Sequence, residues 1–358
     1  MPQSAKTGIV PRIRLWPGLR LGVHLRRDAR QALFPFQYAG MRLFARARHA
    51  LWHGLRAADV ASGDEVLTPA YHCGAEVEAI IAAGLVPRFY DVGDTLTPER
   101  QELESLLTPR TRALLIIHYF GFPQALASWR RWCNGHGLLL IEDCAQALYT
   151  RDGDAPVGSA GELAIFSFAK TLPLPDGAAL VSRTPVDAPG GPQPSLLPVL
   201  KRHMQWAMSR SAPLDARLAG FEREAADEFE LGDPSRGPAR ATRYLLPRLP
   251  HADVRECRRA NYRRLLESAR TLVPPSFDRL PSGASPLVFP VEAGADADLE
   301  QRLARARIEA RRFWPVAHPA LAPDRFPGAA AWRRRLLALP VHQELRSEEL
   351  ARIIAALG

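Results

Sequence analysis

Short apolar, β-prone runs alternate with segments of helical periodicity through the first half of the chain. The predicted strands are 65–68, 86–91, 113–118, 138–143, 164–168 and 178–182, and the predicted helices between them are 75–83, 100–107 and 124–135. Strands that are apolar along nearly their whole length are typical of a parallel sheet covered on both faces. The pattern therefore predicts an α/β fold with its ligand site at the carboxyl ends of the strands.

The pattern changes after about residue 184, where Pro, Gly and Ser become frequent in a segment that we interpret as a long loop or linker. Helical segments follow at 251–268, 299–312 and 347–357. We therefore expect an N-terminal arm over residues 1–44, a large domain over 45–235 and a small C-terminal α/β domain over 236–358.

The composition is that of an ordinary globular protein, with 47% hydrophobic and 24% charged residues in 358. No apolar run approaches the roughly 20 residues of a membrane span, and the N-terminus lacks the features of a secretion signal. We expect a cytoplasmic protein without a membrane partner. The four cysteines are far apart and form no C-x-x-C pair, so the sequence predicts neither a disulfide framework nor a metal site.

The net charge of +9 does not by itself indicate a nucleic-acid partner. The basic residues are scattered in pairs, and the chain has no recognisable nucleic-acid-binding motif. An anionic small substrate, or no specific partner at all, explains the charge equally well. Among the 47 basic residues, 44 are arginine, and the lysines are Lys6, Lys170 and Lys201. A lysine in an apolar setting then requires a reason, since an arginine cannot form an imine.

Residues 141–146 deliver a carboxylate, Asp143, and three residues later an amide, Gln146. An anion beside a pyridinium nitrogen keeps it protonated and electron-poor, and a phenolic oxygen requires a hydrogen-bond donor. Asp143 and Gln146 have the chemistry for these two tasks. The alternative is an ordinary strand that ends in a helix-capping aspartate.

Residues 166–172 place Lys170 in an apolar loop that prolines stiffen immediately afterwards. Desolvation in such a loop favours the neutral, nucleophilic amine. The alternative is a surface lysine, which the scarcity of lysine in this chain disfavours.

These residues resemble the DegT/DnrJ/StrS family of sugar aminotransferases, which depend on pyridoxal phosphate and have fold type I. The resemblance runs from about residue 47 to 183 and is strongest in 63–69, 108–113, 141–146 and 166–177. It implies a three-layer large domain that binds pyridoxal 5'-phosphate, with Lys170 as the Schiff-base lysine and Asp143 as the partner of the ring nitrogen. It also implies that Gln146 contacts the cofactor oxygen or ring face, that Ser167 contacts the phosphate, and that the protein is a homodimer.

The chain departs from the family pattern in several places. Where the family has a Gly-Thr-Ser phosphate cup, this chain has Arg48 and His49, and Arg48 either binds the phosphate or points outward from a helix start. The position of the stacking aromatic residue holds Cys73, so Tyr71 or His72 takes over, unless these two are a buried tyrosine and a structural loop histidine.

Further departures concern the loop of Lys170 and the residues from a second subunit. Two residues are missing between Ser167 and Lys170 relative to the family. The aromatic-Asn-aromatic-Arg stretch of many members is absent, and 235–240 is the nearest polar-basic segment. We expect His118 and His342 to be structural, because no neighbouring ligand spacing indicates a metal.

The predicted activity is transfer of an amino group from an amino acid, with glutamate as the expected donor, to a keto-sugar linked to a nucleotide. A related dehydratase is disfavoured because such enzymes tend to carry histidine in place of Lys170. A non-sugar acceptor remains open. So does a degenerate member that binds without catalysis, because of the altered phosphate cup and the missing stretch.

Overall fold

The computed structural model describes residues 10–25, 33–191, 200, 203–204, 206–207, 229–293 and 297–358. The strands are β1 Met41–Phe44, β2 Glu65–Pro69, β3 Val86–Tyr90, β4 Thr111–Ile117, β5 Leu139–Asp143, β6 Arg151–Asp152, β7 Ala155–Pro156, β8 Leu163–Ser167, β9 Ala178–Ser182, β10 Phe289–Glu292, β11 Arg311–Arg312 and β12 Leu336–Leu339.

The α-helices are α1 Ala47–Ala57, α2 Ala75–Ala82, α3 Arg100–Leu106, α4 Leu126–His136, α5 Phe168–Thr171, α6 Arg240–Leu245, α7 Val254–Ala269, α8 Ala297–Arg305, α9 Pro327–Arg335 and α10 Ser347–Leu357. Short 3-10 helices cover Leu21–Leu25, Tyr119–Gly121, Leu246–Arg248, Arg270–Leu272, Pro275–Phe277 and Pro323–Arg325.

A seven-stranded sheet with the order β1-β9-β8-β5-β4-β2-β3 forms the centre of the molecule. Strands β3, β2, β4, β5 and β8 are parallel. At one side β9 pairs antiparallel with β8, and β1 pairs antiparallel with β9. Strands β2 and β9 are buried along their whole length, because helices cover both faces of the sheet. The prediction of a mainly parallel α/β fold is confirmed.

One strand of this sheet was not predicted from the sequence. Strand β1 lies in the segment that we assigned to the N-terminal arm, and its Met41 pairs with Val181 of β9. With only four residues, of which only the last is buried, β1 carries too little pattern to predict a strand. The assignment of residues 1–44 to an arm, like the other two domain bounds, stays a prediction.

The C-terminal part has a second, three-stranded antiparallel sheet with the order β10-β12-β11. The predicted helix over 299–312 was wrong in its second half. Helix α8 ends at Arg305, Arg307 has a positive φ of 55°, and Arg311 pairs with Ala338 of β12. The N-terminal residue Ile13 also bridges to Ile308, which holds this stretch extended.

Parts of the predicted loop after residue 184 lie outside the described residues, as do Lys6 and Lys201. All four cysteines are free thiols. Among the helices described, none combines the length and the apolar character that crossing a bilayer requires.

Candidate active site

Asp143 and Lys170 line the same cavity, which has a volume of about 490 Å³. Asp143 is the last residue of β5, and Lys170 belongs to the one-turn helix α5 that follows the neighbouring parallel strand β8. The carboxyl ends of parallel strands meet at one edge of the sheet, so the topology brings the two side chains together. The volume falls within the roughly 300–1,000 Å³ of small-molecule sites. Ser167 and Arg48 also line this cavity.

Asp143 is buried, and its Oδ1 accepts a hydrogen bond of 2.8 Å from the amide of Ala145. Burial raises the pKa of Asp143 well above the usual range, and the charge of Glu76 and a hydrogen bond with it act in the same direction. The positive charge of Lys170 opposes this shift. The ionisation of Asp143 therefore depends on the charges placed beside it.

The loop that carries Lys170 is fixed by contacts at both of its ends. The carbonyl of Thr171 accepts hydrogen bonds from Arg258 Nη2 at 3.1 Å and from Gln343 Nε2 at 3.2 Å. Gly177 has a φ of 115°, and a Cβ at this position would lie 2.8 Å from Thr242 Cγ2, so only glycine fits. These contacts position the lysine although the loop is shorter than in the family pattern.

The part of the cavity wall formed by the start of α1 and by β11 is positively charged. Arg46 and Arg48, at the start of α1, and Arg311 of β11 line the cavity. Helix α1 has no acidic residue in its first turn and no side-chain cap, and Arg48 donates to the carbonyl of Glu230. Free amides and the dipole at a helix start favour an anion, and so do the guanidinium groups. The Ser167 hydroxyl makes no cap hydrogen bond with α5.

The structure does not bring His49, Tyr71 or His72 to the described wall of this cavity. The ring of His49 faces the carbonyl of Leu231 at 2.8 Å. Tyr71 is fully buried and donates to the carbonyl of Phe313, with its ring packed on aromatic neighbours. The amide of Gly74 donates to Nδ1 of His72, and burial lowers the pKa of His72 to about 3.

Gln146 lies behind the wall, directly next to the loop after β4. Its Oε1 accepts a hydrogen bond of 2.7 Å from the amide of Phe120, and its buried Nε2 has no hydrogen-bond partner among the described residues. A buried donor without a partner is rare in folded proteins, which indicates that a bound group is needed to complete the site.

Sequence reasoning missed Glu76, which is buried in the first turn of α2 and lines the cavity. Acidic residues such as Glu76 and Glu78 are common in the first turn of a helix, so the sequence offers no reason to assign either of them to the site. The position of Glu76 on the helix is the feature that distinguishes it from Glu78. Glu76 lies on the face of α2 that also buries Val77, Ala79 and Ile80, whereas Glu78 is only partly buried and pairs with His318.

Behind Asp143, the side chains of His118, Glu142 and Cys144 bring their polar atoms within 4.8 Å of one another. Glu142 accepts hydrogen bonds from His118 and from the amides of Gly158, Ala160 and Gly161, and the amide of Gln124 donates to the other ring nitrogen of His118. These bonds occupy both ring nitrogens of His118 and both oxygens of Glu142. His342 faces the carbonyl of Arg14 at 3.0 Å, a structural contact.

Segment 235–240, the nearest substitute for the missing family stretch, lies next to the loop of Lys170. The amide of Ala239 donates to the carboxylate of Asp176, which also lines the cavity. Burial raises the pKa of Asp176, although hydrogen bonds from Thr242 and Ala239 oppose the shift. The segment therefore supports the site of its own chain.

The model of the DegT/DnrJ/EryC1/StrS aminotransferase family matches residues 44–187 and 246–358. A UDP-N-acetyl-3-dehydro-alpha-D-glucosamine 3-aminotransferase from Acidithiobacillus ferrooxidans is 27% identical over 86% of this chain and 80% of its own. A dTDP-4-dehydro-2,3,6-trideoxy-D-glucose 4-aminotransferase from Saccharopolyspora spinosa is 30% identical over 84% and 79%.

Among solved structures, that of DesV from S. venezuelae, in complex with a ketimine intermediate, is similar with a TM-score of 0.65. It is 25% identical and the match covers 88% of this chain and 83% of that one. The resemblance seen in the sequence and the mainly parallel fold agree with these matches. The chain therefore belongs to the DegT/DnrJ/EryC1/StrS aminotransferase family, whose members use pyridoxal phosphate.

Proposed function

We propose that this protein transfers an amino group from an amino acid, with glutamate as the donor, to a keto-sugar linked to a nucleotide. The observation that carries the proposal is the shared cavity of Asp143 and Lys170. The names of the two relatives that match most of this chain support the choice of acceptor, because both describe aminotransferases of nucleotide-linked dehydro-sugars.

The side chains of the cavity wall fit pyridoxal phosphate. Asp143 supplies an anion for a ring nitrogen, and behind the wall the unpartnered Nε2 of Gln146 is a donor that would suit a ring oxygen. Arg48, Ser167 and the start of α1 supply positive charge and hydrogen-bond donors for a phosphate. Lys170 supplies an amine, the group that forms an imine with an aldehyde. When bound, the cofactor supplies an electron sink for the bond that is broken at the donor carbon.

Lys170 has two tasks in this proposal. Its Nζ would hold the cofactor covalently. Its free amine would move the proton of the substrate carbon, as general base and then as general acid. The hydrogen bonds of Arg258 and Gln343 to the carbonyl of Thr171 keep the amine in place for both transfers.

Asp143 provides the electrostatic part of the reaction. Its carboxylate would hold a proton on the ring nitrogen of the cofactor, and this charge would keep the ring electron-poor. The amide of Ala145 donates a hydrogen bond to Oδ1 of Asp143 and so fixes the orientation of the carboxylate.

The cationic rim of the cavity supports an anionic substrate. Arg46 and Arg311 are placed to bind the diphosphate of a nucleotide or the carboxylate of the amino donor, both of which suit the planar fork of arginine. The altered phosphate cup is therefore still positively charged. This charge and the retained Lys170 and Asp143 argue against a degenerate, non-catalytic member.

The test combines spectroscopy with a defined reaction. Purified protein incubated with pyridoxal phosphate is expected to show a visible absorption band, and borohydride should trap the cofactor on Lys170 in a peptide mass map. Lys170→Ala should lose both signals, whereas Lys201→Ala is the matched control that should keep them. Glutamate followed by a panel of nucleotide-linked keto-sugars should then give an amino sugar. An unchanged spectrum in Lys170→Ala would contradict the assignment.

Two further parts of the proposal are a homodimer with sites at the interface and a cytoplasmic location. The homodimer follows from the family resemblance, and molar mass by light scattering tests it. Four free thiols suit a reducing compartment.

A further inference from the structure

Glu76 is a second carboxyl group inside the active-site cavity, next to Asp143. Its side chain is 5% exposed, and the Sγ of Cys73 donates to its two oxygens at 3.1 and 3.2 Å. Glu76 and Asp143 are both buried and line the same cavity, where each carboxyl shifts the pKa of the other through a hydrogen bond. Two carboxyl groups form a hydrogen bond only if one of them carries a proton, because an ionised carboxylate only accepts. Two buried carboxyls placed together in this way therefore favour a shared proton.

The ionisable groups that act directly on the pair are neutral, except for Lys170. Burial lowers the pKa of His72 to about 3 and raises the pKa values of the Cys73 and Cys144 thiols and of the Tyr119 hydroxyl. The positive charge of Lys170 acts on both carboxyls, and the charged side chains of Arg46, Arg48, Arg311 and Asp176 line the same cavity. A pair with one proton has a charge of −1 and balances the charge of Lys170, whereas two buried carboxylates side by side would be strongly disfavoured.

We propose that Glu76 and Asp143 act as one carboxyl pair that carries a single proton, and that Glu76 holds this proton and donates it to Asp143 when the cofactor is bound. Glu76 is thus a positioning residue, which acts on the reaction through Asp143. This inference rests on the proposed function only for the bound state. The shared proton itself belongs to the protein alone.

The proton has two positions along one hydrogen bond. Both oxygens of Glu76 accept hydrogen bonds from the Cys73 thiol, which favours the anion on Glu76. Without a cation at the position of the ring nitrogen the proton therefore lies on Asp143, in agreement with the pKa of Asp143, which burial raises well above its ordinary value. A positive ring nitrogen beside Asp143 stabilises the anion there, and the proton then lies on Glu76. No proton is gained or lost, and the Asp143 oxygen that faces Glu76 stays hydrogen-bonded throughout.

Infrared spectroscopy tests the shared proton directly, on the full chain without added cofactor at neutral pH. Wild-type protein should show the C=O stretch of a buried protonated carboxyl, with a shift in D₂O. The band should be lost in Glu76→Gln and in Asp143→Asn, and should remain in Glu78→Gln, the matched control on the same helix. If Glu76→Gln does not fold, Asp143→Asn gives the same result. A wild type without the band, or a band that both substitutions leave intact, overturns the proposal.

Isotope labelling locates the proton. Without cofactor the band should shift when aspartate carboxyls are labelled with ¹³C, and with cofactor it should shift when glutamate carboxyls are labelled. A band that follows aspartate in both states overturns the relocation. If wild-type protein binds no pyridoxal phosphate, the proposed function fails, while the infrared result without cofactor still decides whether the pair exists.

Cofactor affinity provides a further measurement. Glu76→Gln keeps an N–H donor toward Asp143 and should bind pyridoxal phosphate within about threefold of wild type, whereas Glu76→Ala should bind about tenfold more weakly because the donor to a charged group is lost. In Glu76→Gln the visible band should change with pH differently from that of wild type, because the titration of the Glu76–Asp143 pair is removed. Equal affinities for Glu76→Ala and wild type overturn the positioning role.

Discussion

Substitution of Glu142 tests most directly whether buried hydrogen bonds behind the site stabilise the strand that carries Asp143. Glu142 is fully buried next to Asp143 on β5, and each of its oxygens accepts two hydrogen bonds. Oε1 accepts from the amides of Ala160 and Gly161 at 2.8 and 2.7 Å, and Oε2 from the amide of Gly158 and Nε2 of His118 at 2.6 and 3.0 Å. The perturbation is Glu142→Gln, which keeps the shape of the side chain.

The magnitude follows from the number of donors. Whichever oxygen becomes an NH₂ group, two N–H donors that pointed at it lose their acceptor and meet another donor. A hydrogen bond to a charged group contributes about 1.5–3 kcal/mol, and a buried donor left without a partner adds a desolvation penalty. The loss of two such bonds, reduced by local relaxation, should lower the free energy of unfolding by about 3–5 kcal/mol.

Urea unfolding at neutral pH, followed by tryptophan fluorescence and circular dichroism, measures this loss. The matched control is Glu292→Gln, a partly exposed carboxylate at the end of β10 that forms an ion pair with Arg335. The control should change the free energy of unfolding by about 1 kcal/mol or less. If Glu142→Gln falls within the range of the control, the hydrogen-bonded support inferred for β5 is refuted.

The same residue predicts a pH dependence. Burial opposes the ionisation of Glu142, but hydrogen bonds from His118 and from the amides of Gly158 and Gly161 lower its pKa below the ordinary value of 4.5. Its contribution to stability is therefore complete above that value and is lost as the pH falls through the lower, folded-state pKa. Stability in acid should fall less steeply in Glu142→Gln than in wild type, and parallel curves would contradict this.

Three other results are expected. Arg258→Lys, which cannot reproduce four hydrogen bonds from one guanidinium, should lower the free energy of unfolding by about 2–4 kcal/mol in urea titrations. Arg48→Ala should weaken cofactor binding about tenfold in fluorescence titrations, unlike Arg56→Ala in the last turn of α1. Treatment with a chelator should leave the melting temperature unchanged, because His118 and Glu142 already use their polar atoms in hydrogen bonds.

The features of the fold and site that could be predicted from the sequence are those determined by residues close together in the chain. The buried strands are continuous apolar runs, and Asp143 and Lys170 follow two of them, so their meeting at one edge follows from parallel pairing. Glu76 could not be found in this way. Asp143 is 67 residues away, and the two carboxyls come together only when the start of α2 and the end of β5 reach the same cavity.

The second half of the chain was harder to interpret for the same reason. The run over 299–312 has helical periodicity throughout, but tertiary pairing overrides it. Ile308 bridges to Ile13 near the N-terminus, and Arg311 pairs with β12. A local pattern cannot record partners outside the run, such as Ile13 at the other end of the chain or Ala338 of β12. Arg311, which pairs with β12, lines the cavity.

Buried arginines explain how the distant loops around the site are held together. Arg333 donates to the carbonyls of Ala70 and Trp314 at 2.8 and 2.6 Å, and Arg258 donates to those of Thr171, Pro286 and Leu287. These acceptors are carbonyls in loops and, for Thr171, at the end of the one-turn helix α5, where no neighbouring strand can satisfy them. One guanidinium reaches several at once because its five N–H donors are fixed in one plane, whereas an ammonium group offers three from a single point. A chain that uses arginine for this purpose can reserve an amine for chemistry, which is why a single lysine in an apolar loop was informative.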